Sequence, residues 1–301
     1  MGTPDFAVAS LDALVKAGAN IVAVVTAPDK PSGRGMQLQE SPVKKYAVAN
    51  NLKILQPPKL KNPDFLKELK ALDPDLGVVV AFRMLPEAVW HMPHIGTVNV
   101  HGSLLPQYRG AAPINWAIMN GETETGVTTF KLKHEIDTGD ILLQHKVPIE
   151  PSDNAGTIHD KLMDAGAQLL VETVEGLANG TIREVPQAAI ATEELKHAPK
   201  IFKEDMRINW SKSSSQVLNH IRGLSPYPAA FTNLGSKQVK VYDATIEQTI
   251  TGVSPASFDT DKRTYLRIAA ADGWTYITDI QQEGKKRMDI EAFLRGYRFD
   301  E

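Results

Sequence analysis

The sequence predicts an α/β domain with a mostly parallel sheet, followed by a small β-barrel domain. Three observations lead to this prediction. The chain has 301 residues, which is enough for two domains of ordinary size. Its first two thirds alternate short apolar runs with amphipathic segments, as doubly wound α/β chains do. From Met206 onward, short strand-like runs are separated by turn residues, which is typical of a small barrel.

Two strand-like runs of the first part, at residues 21–26 and 76–82, are rich in β-branched residues and apolar on both faces. Strands that are buried on both sides of a parallel sheet have this composition. The longest amphipathic segment places Ile158, Leu162, Ala165 and Leu169 on one apolar stripe. We therefore expect strands at residues 21–26, 76–82, 97–101 and 128–132, and helices at residues 7–16, 41–50, 64–71 and 158–177.

The composition changes after about residue 180. Residues 185–205 contain two prolines and have no clear periodicity, which favours a linker. Beyond them we expect one helix at residues 214–222 and strands at residues 238–242, 264–270 and 275–280. The predicted organisation is a first domain at residues 1–184, a linker at 185–205 and a second domain at 206–301.

Charge and composition exclude several classes of protein. The net charge is −3, so the chain as a whole has no bias toward polyanions, and an RNA partner would require a local basic surface. There is no cysteine, which excludes disulfides, thiolate zinc sites and a thiol nucleophile. Neither a membrane-spanning apolar run nor a signal-peptide pattern is present, so we expect a cytoplasmic protein with no membrane partner. We also expect the protein to be a monomer.

The densest polar cluster, residues 99–106, begins within the predicted strand at residues 97–101 and continues past its end. Asn99 and His101 point to the same side of that strand, because side chains of a strand alternate between its faces. The carboxyl end of a parallel strand is where α/β sheets bind ligands. The alternative is that the two residues lie at a solvent-facing strand end, where the hydrogen-bonding groups of both side chains are satisfied and no ligand binds.

Two loops offer further candidates. Asp137 lies in a polar, glycine-containing loop after the strand at residues 128–132, from which a carboxylate could pair with His101. The alternative is ordinary turn chemistry. Lys30 and Arg34 lie in a loop of prolines and glycines at residues 28–35, where they could contact phosphates or belong to a solvated loop. No metal site is expected, since the histidine spacing offers no ligand set.

Seven motifs occur in order along nearly the whole chain, and together they resemble the methionyl-tRNA formyltransferases of the folate-dependent formyltransferase family. The motifs are GTPDFA at residues 2–7, PDKPSGRG at 28–35, NVHGSLLPQYRGAAPI at 99–114, DTGD at 137–140, HAPKIFKED at 197–205, INW at 208–210 and IRGLSPYPAAF at 221–231.

The resemblance implies a Rossmann-like formyltransferase domain and a C-terminal domain of the OB type. It also implies formyl transfer from 10-formyltetrahydrofolate to the α-amino group of methionyl initiator tRNA. Asn99, His101 and Asp137 match the catalytic trio of the family. The folate-contacting stretch matches Ser103, Leu104, Leu105 and Pro106. Candidate tRNA contacts are Lys30, Arg34, Lys200 and Lys203.

The chain departs from the family pattern at two places. The family has a β-strand before GTPDFA, where this sequence has only Met1, and loss of a mid-sheet strand would leave two rows of backbone groups unpaired. We therefore expect an upstream in-frame extension of about ten residues, the length of one such strand and its lead-in. Arg83 stands where relatives often have a smaller or uncharged residue, beside the expected pteridine pocket.

Three other functions fit parts of the sequence. They are a folate formyltransferase acting on a purine ribonucleotide or an amino sugar, a non-catalytic RNA-binding protein on the same scaffold, and a folate hydrolase.

Overall fold

The computed structural model describes residues 1–32, 37–191, 194–249 and 252–299. Contacts between residues divide the chain into two compact units. The first unit comprises Met1–Arg109, Gly126–Val147 and Asp160–Lys196, and the second comprises Gly110–Thr125, Pro148–His159 and His197–Glu301. The predicted domains are continuous segments, residues 1–184 and 206–301, whereas each of these units contains three separate segments. The predicted domain boundaries stay a prediction.

The described residues form sixteen strands, eight α-helices and two short 3-10 helices. The strands are β1 (Val24–Val25), β2 (Lys30–Ser32), β3 (Gln37–Gln39), β4 (Ile54–Leu55), β5 (Gly77–Val80), β6 (Thr97–His101), β7 (Arg109–Gly110), β8 (Glu124–Lys131), β9 (Ile141–Pro148), β10 (His197–Ala198), β11 (Ala230–Leu234), β12 (Lys237–Gln248), β13 (Phe258–Thr260), β14 (Leu266–Ala269), β15 (Gly273–Gln282) and β16 (Met288–Asp289). The helices are α1 (Asp5–Lys16), α2 (Pro42–Ala49), α3 (Pro63–Ala71), α4 (Glu87–Trp90), α5 (Pro113–Met119), α6 (Ala155–Ala178), α7 (Ser214–Leu224) and α8 (Ile290–Gly296), and the 3-10 helices are Gln187–Ala189 and Glu204–Met206.

Two pairs of strands in the first unit are parallel, as the α/β pattern of the sequence predicts. β5 pairs with β6 in parallel, and β1 pairs with β4 in parallel. β8 adds to the other edge of β6 in antiparallel direction, and β9 follows β8 in the order β5-β6-β8-β9. The predicted Rossmann-like α/β fold is confirmed, with an antiparallel addition at the β8 edge.

Met1 and Gly2 lie between β1 and β5. The Gly2 amide donates to the Val25 carbonyl at 3.0 Å, and the Val80 amide donates to the Met1 carbonyl at 3.0 Å. These two residues therefore bridge the two pairs of parallel strands. A cavity of about 140 Å³ adjoins them, and its walls are mostly apolar side chains. The upstream strand expected from the sequence stays a prediction.

Apolar packing and helix caps fix the elements around the site. Val98 and Val100 of β6 are buried, and on α6 the predicted stripe buries Ile158 and Leu162 completely. The Ser41 hydroxyl caps α2 by accepting from the Lys44 amide at 3.0 Å. A serine cap of this kind contributes about 1 kcal/mol to helix stability.

The second unit is built around an antiparallel sheet in the order β11-β12-β15-β14-β13, with β16 paired to β15. β12 is long enough to pair with β11 and with β15, and its register shifts between Val241 and Ala244. Shifts of this kind bend a strand and help a sheet to curl. Helix α7 begins with a capping box formed by Ser213 and Gln216, and it packs Ile221 and Leu224 into the core of this unit. The predicted small barrel-like domain is confirmed.

The predicted surface loop at residues 28–35 includes one short strand. β2 (Lys30–Ser32) pairs with β3 in antiparallel direction, with Lys30 opposite Gln39. Residues 33–35 of the predicted loop lie outside the described residues. No helix in the described part of the chain combines the length and apolarity needed to cross a lipid bilayer.

Candidate active site

Strand β6 places Asn99 and His101 at its carboxyl-terminal end, within the four-stranded sheet. It lies between β5 and β8, where Asn99 is opposite Val79 on one side and Phe130 on the other. Its last residue, His101, is opposite Thr128 of β8. The predicted alternation therefore holds, with both polar side chains on one face and the valines buried behind them.

The His101 ring is buried and is held by its Nε2 atom. His101 is 6% exposed, its Nε2 lies 2.9 Å from the carbonyl oxygen of Tyr108, and its edge meets the Phe130 ring. A carbonyl oxygen can only accept, so Nε2 carries the proton in this arrangement. Nδ1 is consequently an acceptor in the neutral ring and a second donor in the imidazolium.

Asp137 faces the free end of that ring. Its Oδ2 lies 3.9 Å from His101 Nδ1, and its carboxylate is mostly buried. That separation is too long for a direct hydrogen bond but leaves the carboxylate close enough to stabilise a positive imidazolium. The backbone of Asp137 is in the left-handed region, at φ 56°, where aspartate is better tolerated than most residues.

The side chain of Asn99 is half-buried and makes no hydrogen bond within the described ranges. An amide at the mouth of a strand is therefore available as a donor or an acceptor. The structure brings Asp137, from the loop after β8, within 3.9 Å of His101, and Asn99 lies on the same face of β6 as His101.

The stretch from Ser103 to Pro106 is fixed by one buried hydroxyl. Thr128 Oγ1 donates to the Ser103 carbonyl at 2.7 Å and accepts from the Leu105 amide at 3.1 Å. Gln144 Nε2 donates to the same hydroxyl at 2.9 Å and to the Leu105 carbonyl at 2.8 Å. Leu105 itself is buried with Phe130 and Ile141. The stretch predicted to contact folate is thus a rigid loop beside His101.

The candidate tRNA residues are placed as follows. Lys30 is exposed on β2 in the first unit. Lys200 and Lys203 are exposed in the second unit, where Lys200 lies over the Phe202 ring at 5.6 Å. Arg34 lies outside the described residues. The three described lysines are accessible to an anionic partner.

The guanidinium of Arg83 binds two backbone carbonyls. Its guanidinium donates to the Pro58 carbonyl at 2.9 Å and to the Pro57 carbonyl, and it lies over the Phe82 ring. In this arrangement Arg83 holds the loop before α3.

Sequence reasoning did not identify three polar residues that shape the site: Tyr108, Thr128 and Gln187. Tyr108 has a left-handed backbone at φ 59° and offers its carbonyl to His101. The Gln187 amide oxygen accepts from Nε and Nη2 of Arg109 at 2.9 and 2.6 Å, so a buried amide holds the Arg109 guanidinium. A buried glutamine in a segment without periodicity gives no signal in sequence.

No group of three or more metal-ligating side chains comes together in the described part of the chain.

Two family models match the sequence. One, described as formyl transferase, matches residues 1–174, and the other, described as formyl transferase, C-terminal domain, matches residues 200–298.

Curated relatives match over the whole chain. The methionyl-tRNA formyltransferase of Phocaeicola vulgatus is 55% identical over 306 residues, which cover 99% of this chain and 94% of the relative. The methionyl-tRNA formyltransferase of Bacteroides fragilis is 50% identical over 307 residues, which cover 100% of this chain and 95% of the relative.

Solved structures share the fold. WlaRD, a sugar 3N-formyl transferase crystallised in the presence of dTDP and 5-N-formyl-THF, aligns with a TM-score of 0.68 at 21% identity and covers 95% of this chain and 97% of its own. HypX from Aquifex aeolicus, in complex with tetrahydrofolic acid, aligns with a TM-score of 0.60 at 23% identity and covers 84% of this chain and 45% of its own. With two family models covering most of its length and relatives at half identity or more, the chain belongs to the formyl transferase family.

Proposed function

We propose that this protein transfers the formyl group of 10-formyltetrahydrofolate to the α-amino group of methionyl initiator tRNA. The observation that carries the proposal is the 55% identity, over 99% of this chain, with a methionyl-tRNA formyltransferase. The geometry supports the same chemistry, because an amide, an imidazole and a carboxylate meet at the end of β6.

In this reaction the amine lone pair attacks the formyl carbon, and a carbon–nitrogen bond forms. Negative charge then develops on the formyl oxygen. Asn99 offers an N–H donor to that oxygen, and His101 offers a second through Nδ1 when the ring is protonated. When the bond from the formyl carbon to the folate nitrogen breaks, the electron pair remains on that nitrogen.

Asp137 supports both halves of the reaction. Its carboxylate stabilises the His101 imidazolium from 3.9 Å, and it is suited to accept the proton that the attacking amine must lose. That proton is returned to the departing folate nitrogen, so the overall transfer is balanced without a covalent bond to the protein.

The direct test is formylation of methionyl initiator tRNA by the purified protein with 10-formyltetrahydrofolate. Parallel reactions contain glycinamide ribonucleotide, a nucleotide-linked amino sugar, or no acceptor. Turnover with the tRNA alone is the expected result. Preference for either small acceptor, or folate turnover without an acceptor, contradicts the proposal.

Thr128→Val tests the role of the Ser103–Pro106 loop in binding folate. Valine keeps the volume of threonine but leaves the Ser103 carbonyl, the Leu105 amide and the Gln144 amide without their common partner. We expect the KM for the folate to rise by roughly tenfold and the free energy of unfolding to fall by about 1–3 kcal/mol, the usual effect of leaving a buried polar group unsatisfied. Steady-state kinetics and thermal unfolding measure the two effects.

Thr128→Ser is the matched control, because it keeps the hydroxyl. Its folate KM should stay near that of the unaltered protein. An unchanged KM in Thr128→Val would show that the loop does not contact folate.

Lys200 and Lys203 are proposed to contact tRNA phosphates. Removing a lysine that contacts a phosphate reduces the salt dependence of binding, because fewer counterions are released. We expect Lys200→Ala and Lys203→Ala each to weaken tRNA binding at low salt and to reduce the slope of log affinity against log salt by about one. Filter binding across a salt series measures that slope.

Lys16→Ala serves as the control for charge, since Lys16 is already paired with Asp12 at 2.6 Å on α1. Equal slopes for all three variants would argue against specific contacts by Lys200 and Lys203.

A further inference from the structure

Gln187 is a buried side chain whose amide makes four hydrogen bonds in the first unit. It begins the 3-10 helix Gln187–Ala189 and is 3% exposed. Its Nε2 donates to the carbonyls of Asp137 and Gly139, both at 2.8 Å. Its Oε1 accepts from Nε and Nη2 of Arg109. The bonding capacity of a glutamine amide is two donors and two lone pairs, so this side chain is fully satisfied.

The two sides of the Gln187 amide hold the two halves of the catalytic pair. On one side is the backbone of the loop that presents Asp137. On the other is Arg109, the residue after Tyr108, whose carbonyl fixes the Nε2 end of His101. The 3.9 Å separation between His101 Nδ1 and Asp137 Oδ2 therefore depends on two segments that one amide connects, one through its backbone carbonyls and the other through the Arg109 side chain.

Both of those segments have backbone conformations that require support. Asp137 and Tyr108 have φ of 56° and 59°, in the left-handed region that non-glycine residues rarely adopt. Such conformations persist where neighbouring groups impose them. Gly139 adds a steric constraint, because a Cβ at this position would overlap the carbonyl of Lys131. The hydrogen bonds from Gln187 to residues 137 and 139 span this constrained turn.

We propose that Gln187 is a positioning residue for formyl transfer, which holds the Asp137 carboxylate at its working distance from the His101 ring through a bridge to Arg109. The inference rests on the proposed function, since it assigns Gln187 a role in the same reaction. Gln187 acts on the loop backbone and not on substrate, so its loss should lower kcat and leave the KM values for folate and tRNA nearly unchanged.

Two substitutions of Gln187 remove different sets of its four hydrogen bonds. Gln187→Met keeps the length of the side chain and removes every hydrogen bond. Gln187→Glu keeps an acceptor for Arg109 but loses both N–H donors to the Asp137 loop. We expect each variant to lower kcat by roughly tenfold to a hundredfold, the effect of a displacement of about 1 Å at a reacting centre. Gln168→Met, an exposed glutamine change on α6, should leave kcat unchanged.

A double-mutant cycle with Asp137→Asn distinguishes positioning from a general loss of packing. If Gln187 acts through Asp137, adding Gln187→Met to Asp137→Asn should lower kcat by less than about twofold further, because interacting sites are not additive. Full additivity of the two effects in kcat would overturn the proposal. So would a normal kcat in Gln187→Glu.

Circular dichroism and thermal unfolding of each variant accompany the kinetics. If Gln187→Met does not fold, the cycle is run with Gln187→Glu, and Arg109→Lys, which keeps the charge and loses the fork of donors, provides a third variant. Failure of the unaltered protein to formylate methionyl initiator tRNA contradicts the proposed function. The same variants are then assayed with the acceptor that the unaltered protein does use, where an unchanged kcat contradicts the positioning role.

Discussion

Replacing His101 by alanine should lower the kcat of formyl transfer by roughly 10²–10³-fold, the usual consequence of removing one donor to a developing oxyanion. The histidine is buried beside Phe130, and its Nδ1 is directed toward Asp137 in the part of the site where the formyl oxygen is proposed to bind. Binding of either substrate should change much less, because the interaction is proposed to strengthen only as charge develops. Single-turnover formylation at saturating tRNA and folate measures the effect.

His134→Ala is the matched control for this change. His134 is an exposed histidine in the loop that precedes Asp137, and its loss should leave kcat unaltered. Thermal unfolding shows whether His101→Ala remains folded, since the Tyr108 carbonyl loses its donor in that variant. A folded His101→Ala protein with near-normal turnover is incompatible with a catalytic role for the ring.

Changing Asp137 to asparagine should reduce kcat by roughly 10²–10⁴-fold, the range associated with loss of a positioned acid–base group. Asparagine keeps the size of the side chain and is among the residues that best tolerate the φ of 56° at this position. The substitution therefore removes the negative charge without forcing the loop to refold. Rapid-quench measurement of one turnover isolates the chemical step from product release.

Glu135→Gln removes another carboxylate from the same loop, at an exposed position, and should have little effect. A comparable fall in kcat for Glu135→Gln and Asp137→Asn would mean that the net charge of the loop matters and the individual carboxylate does not.

The residues of β6 could be assigned from sequence because their signal is local. Asn99 and His101 lie two positions apart in a strand, so the pleat alone places them on one face. Asp137 lies far along the chain in a local pattern that also fits an ordinary turn, and the resemblance to the family is what assigns it to the trio with His101. Its approach to His101 depends on how β8 returns beside β6, which spacing within a segment does not reveal.

Gln187 shows why the rest of the site was not predictable. It is joined to Asp137 across 50 residues and to Arg109 across 78, in a segment that reads as a linker because it contains prolines and no periodicity. A single buried amide has no repeat and no charge to indicate its partners. Thr128 has the same character, because a threonine in a strand is expected for its β-propensity alone.

The extent of the strands was predictable only in part. Residues 21–26 read as a full strand, yet only Val24–Val25 pair with β4, whose own length is two residues. Pairing partners limit a strand as much as its own composition does. That each compact unit is built from three separate segments was equally hidden in the sequence, since α5 lies within the first domain by sequence and is grouped with the C-terminal residues by contact.

The hydrogen bond between His101 Nε2 and the Tyr108 carbonyl also limits how the imidazole can handle protons. A histidine with both nitrogens available can take up a proton on one side and release it on the other, as a relay does. Here one nitrogen is committed to a carbonyl that has no proton to give, so every proton must arrive and depart through Nδ1. The imidazole therefore gains and loses its proton at Nδ1, the same atom that acts in the reaction, and the Asp137 carboxylate lies beside that atom.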